Sequence, residues 1–538
     1  MNLMFRRKNE PSRRQFLVQT GCSAMGITSL VNTLAHLKLM QGALNAQSGG
    51  SGYKALVCVF LNGGNDSNNM LLPFSGTART DYETGRGVLA LPTANANATL
   101  NALQVNATNV ANCDPLGGYL GTFGVHPKFN HIKTMFDSGE VAFVSNVGTL
   151  TQPGVTRANY ATASKPPQLF SHSDQQVQWQ SSIPDRPFTS GWGGRIADLL
   201  DPAHNPSTGN ASMSISISGV NSFQVSPTGV VAPYVMTSGG VVSLGGYGTN
   251  YTSAVTNPSL LFQSANYKTG EQGRRLQSFE NILQMTHASL MENAYNGVVM
   301  NARVTEGMVG TALQTTAGAT AGTSTLDTTF NDAFVGSGFN ANNDFTNQMK
   351  LVARLIAGRS SLANERQIFF VQQGGFDTHT TQIPTGSATG GHTGLMNNLN
   401  CTLNGFRDAL TSMGVFDNVV TFTASDFTRT FTANKTDASA GSDHAWGGHA
   451  LVMGGPVKGQ RVYGKFPVLK LGAATNSIDS TGSSGRWIPS SSVDQYASVL
   501  AKWLGVGDPQ LANIFPNLSR FDSPYSTAAN LDFLDFTV

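Results

Sequence analysis

The sequence predicts an α/β protein, a mainly parallel sheet with helices packed against it. Short runs such as KALVCVFL at 54–61 are apolar almost throughout rather than alternating, as strands covered on both faces require. Segments with apolar residues at helical spacing lie between these runs, and alternating strands and helices are the pattern of a layered α/β domain. Each strand-like run also stops abruptly at glycine or a small polar residue, and aspartates Asp66, Asp377 and Asp426 follow three of those stops. In open α/β sheets, functional groups gather beyond the carboxyl ends of the strands.

In chain order, the first 46 residues read as an export signal. A basic patch at Arg6, Arg7 and Lys8 precedes SRRQFL at 12–17, a mildly apolar stretch follows, and small residues at 43–47 suit a signal peptidase. The pattern implies passage through a twin-arginine translocase and residence in the periplasm or outside the cell. The stretch is too short and too interrupted for a stable membrane span. Strands are then expected at 54–61, 140–144, 366–371 and 418–423. Helices are expected at 129–136, 274–298, 349–357, 395–413 and 493–504. About 205–343 differs in texture. Short β-like pieces at 214–218 and 223–226 lead into Gly-, Ala- and Thr-rich text, which reads as an insertion or cap on the main domain.

Composition narrows the function. The 538 residues carry a formal net charge of +2, and charged residues make up only 12% of the chain. That balance argues against nucleic acid as a partner. Of four cysteines, Cys22 leaves with the signal. Cys58 sits in an apolar run as a buried thiol, and nothing in the spacing of Cys113 and Cys401 demands a disulfide.

Three glycine-rich loops carry the chemistry. GGNDSNN supplies Asp66, GGFDTHT supplies Asp377 and His379, and SDHAWGGH supplies Asp443, His444 and His449. Carboxylates and imidazoles are what divalent transition ions accept as ligands, and a Gly-Gly pair lets a loop turn sharply and approach an ion closely. One such loop alone reads as a turn or a helix cap. Three together point to a shared metal or anion site. Neighbouring Asp443 and His444 can reach one ion only from irregular backbone, since adjacent strand residues face opposite ways.

SRRQFL, LNGGNDSNN, GGFDTH, the SDFTR segment at 425–429, SDHAWGGH followed by GGPVKGQRVYG, and SVDQYASVLAKWLGV together resemble the DUF1501 family. These are exported bacterial proteins grouped with the alkaline phosphatase–sulfatase-like superfamily. The resemblance implies an alkaline-phosphatase-like domain over about 50–530, with metal ions at the strand ends. It implies a metal-dependent hydrolase that cleaves phosphate or sulfate esters on a small molecule or a polymer. Asp66 would share one ion (zinc, manganese or calcium) with Asp443 and His444, while Asp377, His379 and His449 serve a second. Ser171, in the SHSDQ segment, is the expected nucleophile or else the N-cap of a helix, with His172 beside it. Arg429 and Lys458 are expected to bind substrate or to act as salt-bridge partners. The two-residue spacing of Asp377 and His379, where the superfamily spaces them by four, favours a rival: an inactive binding or surface-assembly protein that keeps the fold. No Cys-x-Pro-x-Arg signature is present, which argues against a formylglycine sulfatase.

Overall fold

The computed structural model describes residues 52–537, apart from 206–210, 242–243, 248–250, 258–261, 286–289, 316–324, 384–389 and 481. The expected export signal lies outside these residues. Twelve strands are defined among them: β1 (Lys54–Leu61), β2 (Leu71–Pro73), β3 (Leu103–Val105), β4 (Phe123–Val125), β5 (Val141–Gly148), β6 (Ser214–Ser216), β7 (Tyr234–Val235), β8 (Arg366–Gln373), β9 (Val419–Ser425), β10 (Gly448–Met453), β11 (Arg461–Tyr463) and β12 (Ser491–Ser492). The main sheet runs β11-β5-β10-β9-β1-β8-β6-β7, with β12 continuing alongside β5. The sheet is mainly parallel, and β10 alone runs against its neighbours β5 and β9. A separate antiparallel sheet, β2-β4-β3, lies apart from it.

The centre of the sheet shows why its strands read as apolar throughout. On β1, Ala55, Val57, Val59 and Leu61 enter one core, while Leu56, Cys58 and Phe60 enter another. β8 divides the same way, with Phe369 and Val371 on one face and Ile368 and Phe370 on the other. With helices on both sides, neither face is left for polar residues. The first face is covered by α2 (Asn130–Asp137), α8 (Asp344–Ala357) and α9 (Gly391–Ser412). The second is covered by α4 (Trp192–His204) and α10 (Val493–Leu504). Ser492 caps α10 in a complete capping box with Gln495. Cys58, Cys113 and Cys401 are all free, buried thiols. Among the described residues, no helix is long and apolar enough to cross a membrane.

The stretch expected as an insertion contributes directly to the sheet, because β6 pairs in parallel with β8. Phe223, expected in a β-like piece, lies in a loop with its ring against Trp192. The single long helix expected at 274–298 is two helices, α5 (Glu271–Leu283) and α6 (Leu290–Thr315), and α7 (Thr325–Ala333) follows them.

Register decides where chemistry can happen. Leu61 pairs with both Gln373 and Ser425, so β1, β8 and β9 finish level with one another. Because β10 is antiparallel, it begins at that same edge, where Gly448 faces Val147 of β5. The loops leaving β1, β8 and β9 and the loop entering β10 therefore meet in one place.

Candidate metal centre

The meeting of the loops starts from Gly63 and Gly64, with φ +111° and +77°. A Cβ at Gly63 would stand 2.5 Å from the Asp377 backbone nitrogen, and one at Gly64 would stand 2.5 Å from the Phe427 ring. Glycine is thus required both for the turn and for the close approach of the other two loops. The turn aims two backbone N–H groups at Asp426, each donating to Oδ1 at 3.1 Å. The Gln176 side-chain amide donates to Oδ2 at 3.2 Å. Asp426 is buried, and these donors fix the orientation of its carboxylate.

Its remaining contact leads into the site. Nδ1 of His172, the first residue of α3 (His172–Ser181), lies 2.6 Å from Asp426 Oδ2. The other ring nitrogen of His172, Nε2, lies 3.1 Å from His444 Nε2 and 3.4 Å from Asp377 Oδ1. His444 Nε2 is 3.5 Å from the same carboxylate oxygen. From the opposite flank, His379 Nε2 stands 3.0 Å from His444 Nε2 and 3.0 Å from Asp377 Oδ1. The segment holding His444 is pinned to the exit of β9 by a bridge between Arg429 and His444, flanked by Ala445 N–H to the Thr428 carbonyl and Thr430 N–H to the Asp443 carbonyl.

Hydrogen-bond chemistry assigns the protons. His444 Nδ1 is 2.7 Å from the Phe170 carbonyl, which only accepts, so Nδ1 carries the hydrogen. His172 Nδ1 donates to Asp426, while His379 has a carboxylate oxygen 3.0 Å from each ring nitrogen, Asp443 at Nδ1 and Asp377 at Nε2. In the neutral His172 and His444 rings this leaves Nε2 as a bare lone pair. Two such lone pairs and the Asp377 carboxylate oxygen converge, with His379 Nε2 beside them, a donor set that a metal ion or a proton on His172 would hold together. Each imidazole is also anchored through its far nitrogen by a carboxylate or carbonyl, the usual support of a metal-bound histidine.

The spacing suits a metal. Ligands about 2.0–2.1 Å from an ion in tetrahedral array stand roughly 3.3–3.4 Å apart. The mutual distances of His172, Asp377 and His444 bracket that value, and these three residues form a group able to hold one ion. Electrostatics favours the ligating form of two of the three, His444 and Asp377, while a proton competes for His172. Hydrogen bonding to Asp426 holds the His172 pKa above the ordinary histidine value against the opposing effect of burial. Burial pulls the His444 pKa down. For Asp377, burial works to raise the pKa, but the hydrogen bond and charge of Arg429 outweigh it and hold the carboxyl below its usual range.

The remaining expected site residues are placed as follows. Asp443 touches His379 Nδ1 rather than the converging atoms, so the Asp443-His444 pair does not reach one ion from adjacent positions. Asp66 does not join Asp443 and His444. It is fully buried against Arg86 and receives the Gln382 side-chain amide, while Arg86 also donates to the Thr430 and Phe431 carbonyls. Its role is to stitch the loop after β1 to α1 (Thr77–Arg86) and to the segment leaving β9. His449 also stands apart. Its ring stacks on Phe466, and Nδ1 accepts from Asn146 N–H at 3.2 Å, so burial lowers its pKa to about 3. Ser171 occupies the N-cap position of α3 but makes no capping bond, and its Oγ turns to Asp174 at 2.5 Å. Arg429 spends its guanidinium on Asp377 and on the Gly63 and Ser442 carbonyls. Lys458 follows the far end of β10, at the opposite edge of the sheet, and pairs with Asp532.

Of the two supports, the sequence reading marked one without giving it a role and missed the other. Asp426 carried the same signal as Asp66, an aspartate just after a strand. The Phe170 carbonyl carried none, since any residue has one. No match is found among curated proteins. A family model described as a protein of unknown function, DUF1501, matches residues 53–481, a span that includes every residue of this cluster and its supports, and the chain belongs to that family.

Proposed function

We propose that the protein is an exported, metal-dependent hydrolase of the alkaline phosphatase–sulfatase-like kind, acting on phosphate or sulfate esters. The observation that carries this reading is the convergence of two bare imidazole nitrogens, His172 Nε2 and His444 Nε2, on Asp377 Oδ1 at the strand ends. A two-nitrogen, one-oxygen donor set favours zinc or manganese and disfavours calcium, which prefers oxygen ligands throughout. When bound, such an ion supplies Lewis acidity toward a phosphoryl or sulfuryl oxygen and leaves coordination positions open for substrate or water.

The chain's own residues supply the rest. Asp426 and the Phe170 carbonyl fix the tautomers of His172 and His444. Arg429 holds Asp377 ionised. Ser171 directly precedes His172, and its Oγ donates to the Asp174 carboxylate, the kind of contact that draws a proton from an attacking hydroxyl. The mouth is open, since Asp377, His379 and Asp443 keep 50%, 41% and 50% of their side-chain surface exposed. An ester on a polymer can therefore approach as readily as a small one. Export rests on the SRRQFL motif, and the twin-arginine route fits a metalloprotein that is folded before it crosses the membrane.

The test is metal analysis of the purified protein, then turnover of aryl phosphate, phosphodiester and aryl sulfate substrates with zinc or manganese added. Stoichiometric metal, with turnover lost in His444→Ala, supports the hydrolase. Protein that takes up neither ion and turns over none of these substrates is the inactive binding or surface-assembly component.

A further inference from the structure

Both cations singled out in the sequence, Arg429 and Lys458, are spent elsewhere, so recognition of an anionic substrate must fall to another group. Arg486 has the right chemistry and position. Its guanidinium lies 4.2 Å from the centroid of the Phe170 ring. Phe170 is also the residue whose carbonyl orients His444, so the cation rests on the wall that aligns a metal ligand. That wall is firm. Phe170 packs against Leu150, Leu169, Trp446 and Ile488, and the Trp446 indole N–H donates to the Thr149 carbonyl.

The Arg486 fork is unspent. Its Nε is buried without a hydrogen-bond partner, and among the described residues no carboxylate pairs with the guanidinium. The acid nearest it along the chain, Asp479, is fully buried and engaged with the Gly472, Gly485 and Arg486 backbone N–H groups. This carboxylate fixes the Arg486 backbone while leaving the side-chain charge uncompensated. Arg157, from the loop after β5, donates to the Asp479 carbonyl at 2.7 Å and brings a second cation to the same segment. A planar guanidinium stacked on an aromatic ring with both terminal nitrogens free is preorganised to grip two oxygens of a tetrahedral oxyanion.

We infer that Arg486, stacked on Phe170 beside the metal centre, binds the phosphate or sulfate group of the substrate. This assignment rests on the hydrolase reading above, and its test keeps the two separable. Inorganic phosphate and sulfate are titrated calorimetrically into zinc-treated and metal-free protein, with zinc stoichiometry measured separately. The expected result is anion binding weakened about tenfold or more in Arg486→Gln, the scale of one charge-assisted bidentate contact. Arg486→Lys should fall between that variant and the wild type, and Lys458→Gln should match the wild type. The stronger of the two anions identifies the ester class. Arg486→Gln within twofold of the wild type, or wild-type protein that binds neither anion, overturns the assignment. Anion binding that depends on Arg486 in a chain that takes up no zinc leaves the assignment standing and removes the metallohydrolase reading alone.

Discussion

Replacing Asp426 by asparagine tests the centre where its logic is tightest. The carboxylate divides its work between two oxygens. Oδ1 accepts from the Gly63 and Gly64 backbone N–H groups, and Oδ2 accepts from His172 Nδ1 and the Gln176 amide. An amide of the same shape has only one acceptor oxygen. If that oxygen faces the glycines, the amide NH2 faces His172 and pushes the ring toward the tautomer with Nε2 protonated, which cannot bind a metal. If the oxygen faces His172, the NH2 confronts two N–H donors. Leaving buried donors unmatched costs about 1–3 kcal/mol, and loss of a group that orients a ligand lowers metal affinity roughly ten- to a hundredfold. Both effects should appear together. Urea unfolding of the metal-free variant should show the stability loss, and zinc competition against a chromophoric chelator at neutral pH should show the affinity loss. A folded Asp426→Asn protein that binds zinc within about threefold of the wild type would refute the claim that Asp426 sets the His172 tautomer.

Asp66→Asn should behave differently. It breaks the buried pair with Arg86 and should cost about 3 kcal/mol in urea unfolding, with the zinc affinity of the folded protein unchanged. A large loss of zinc affinity without loss of stability would return Asp66 to the ligand set. Zinc affinity should also fall as pH drops. In the metal-free protein His172 is protonated up to a pKa above the ordinary value, so metal displaces a proton below that point and apparent affinity declines about tenfold per pH unit for each proton displaced. Zinc titrations between pH 5.5 and 8 at fixed ionic strength measure the slope (~1 or more), and a flat profile contradicts it. His449 gives a separate acid effect. Its folded pKa is depressed to about 3, so between the unfolded value near 6.5 and that point the unfolded chain holds one more proton than the folded one. Stability should therefore fall by about 1.4 kcal/mol per pH unit from this residue as pH decreases. His449→Gln should remove that share of the slope in urea unfolding followed from pH 7 to pH 5.

The parts of the fold legible in the sequence are those where local chemistry and tertiary burial agree. β1 was expected over 54–61 and is found over Lys54–Leu61, because both its faces are buried and every position after the first asks for an apolar or small residue. β8 and β9 each continue two residues beyond their expected ends, through Gln372 and Gln373 and through Ala424 and Ser425, where the parallel ladder with β1 persists although most of the side chains turn polar. α4 carries little helical signal, since its sequence WGGRIADLLDPAH contains two glycines and a proline. The glycines are demanded from outside the helix. A Cβ at Gly193 would lie 2.6 Å from the Phe223 ring, and one at Gly194 would lie 2.2 Å from the Val225 carbonyl oxygen. β10, only six residues long and opening on the second glycine of Gly447-Gly448, takes its antiparallel direction from the chain's return to the same edge, which no local pattern records.

The site was legible in its ingredients but not in its wiring, and two aspartates show why. Asp66 and Asp426 follow strands that end side by side, with Leu61 and Ser425 paired in register. Nothing within a few residues of either tells them apart. The difference lies in what each meets. Twenty residues after Asp66, the last turn of α1 brings Arg86 against it, and a buried cation neutralises the carboxylate so that it has no charge left to offer an ion. Asp426 instead meets the first residue of α3, and its buried carboxylate, oriented by backbone donors, takes up His172 Nδ1 and turns Nε2 into the site. The partner across the fold thus assigns the role. Motif position alone marks both residues equally.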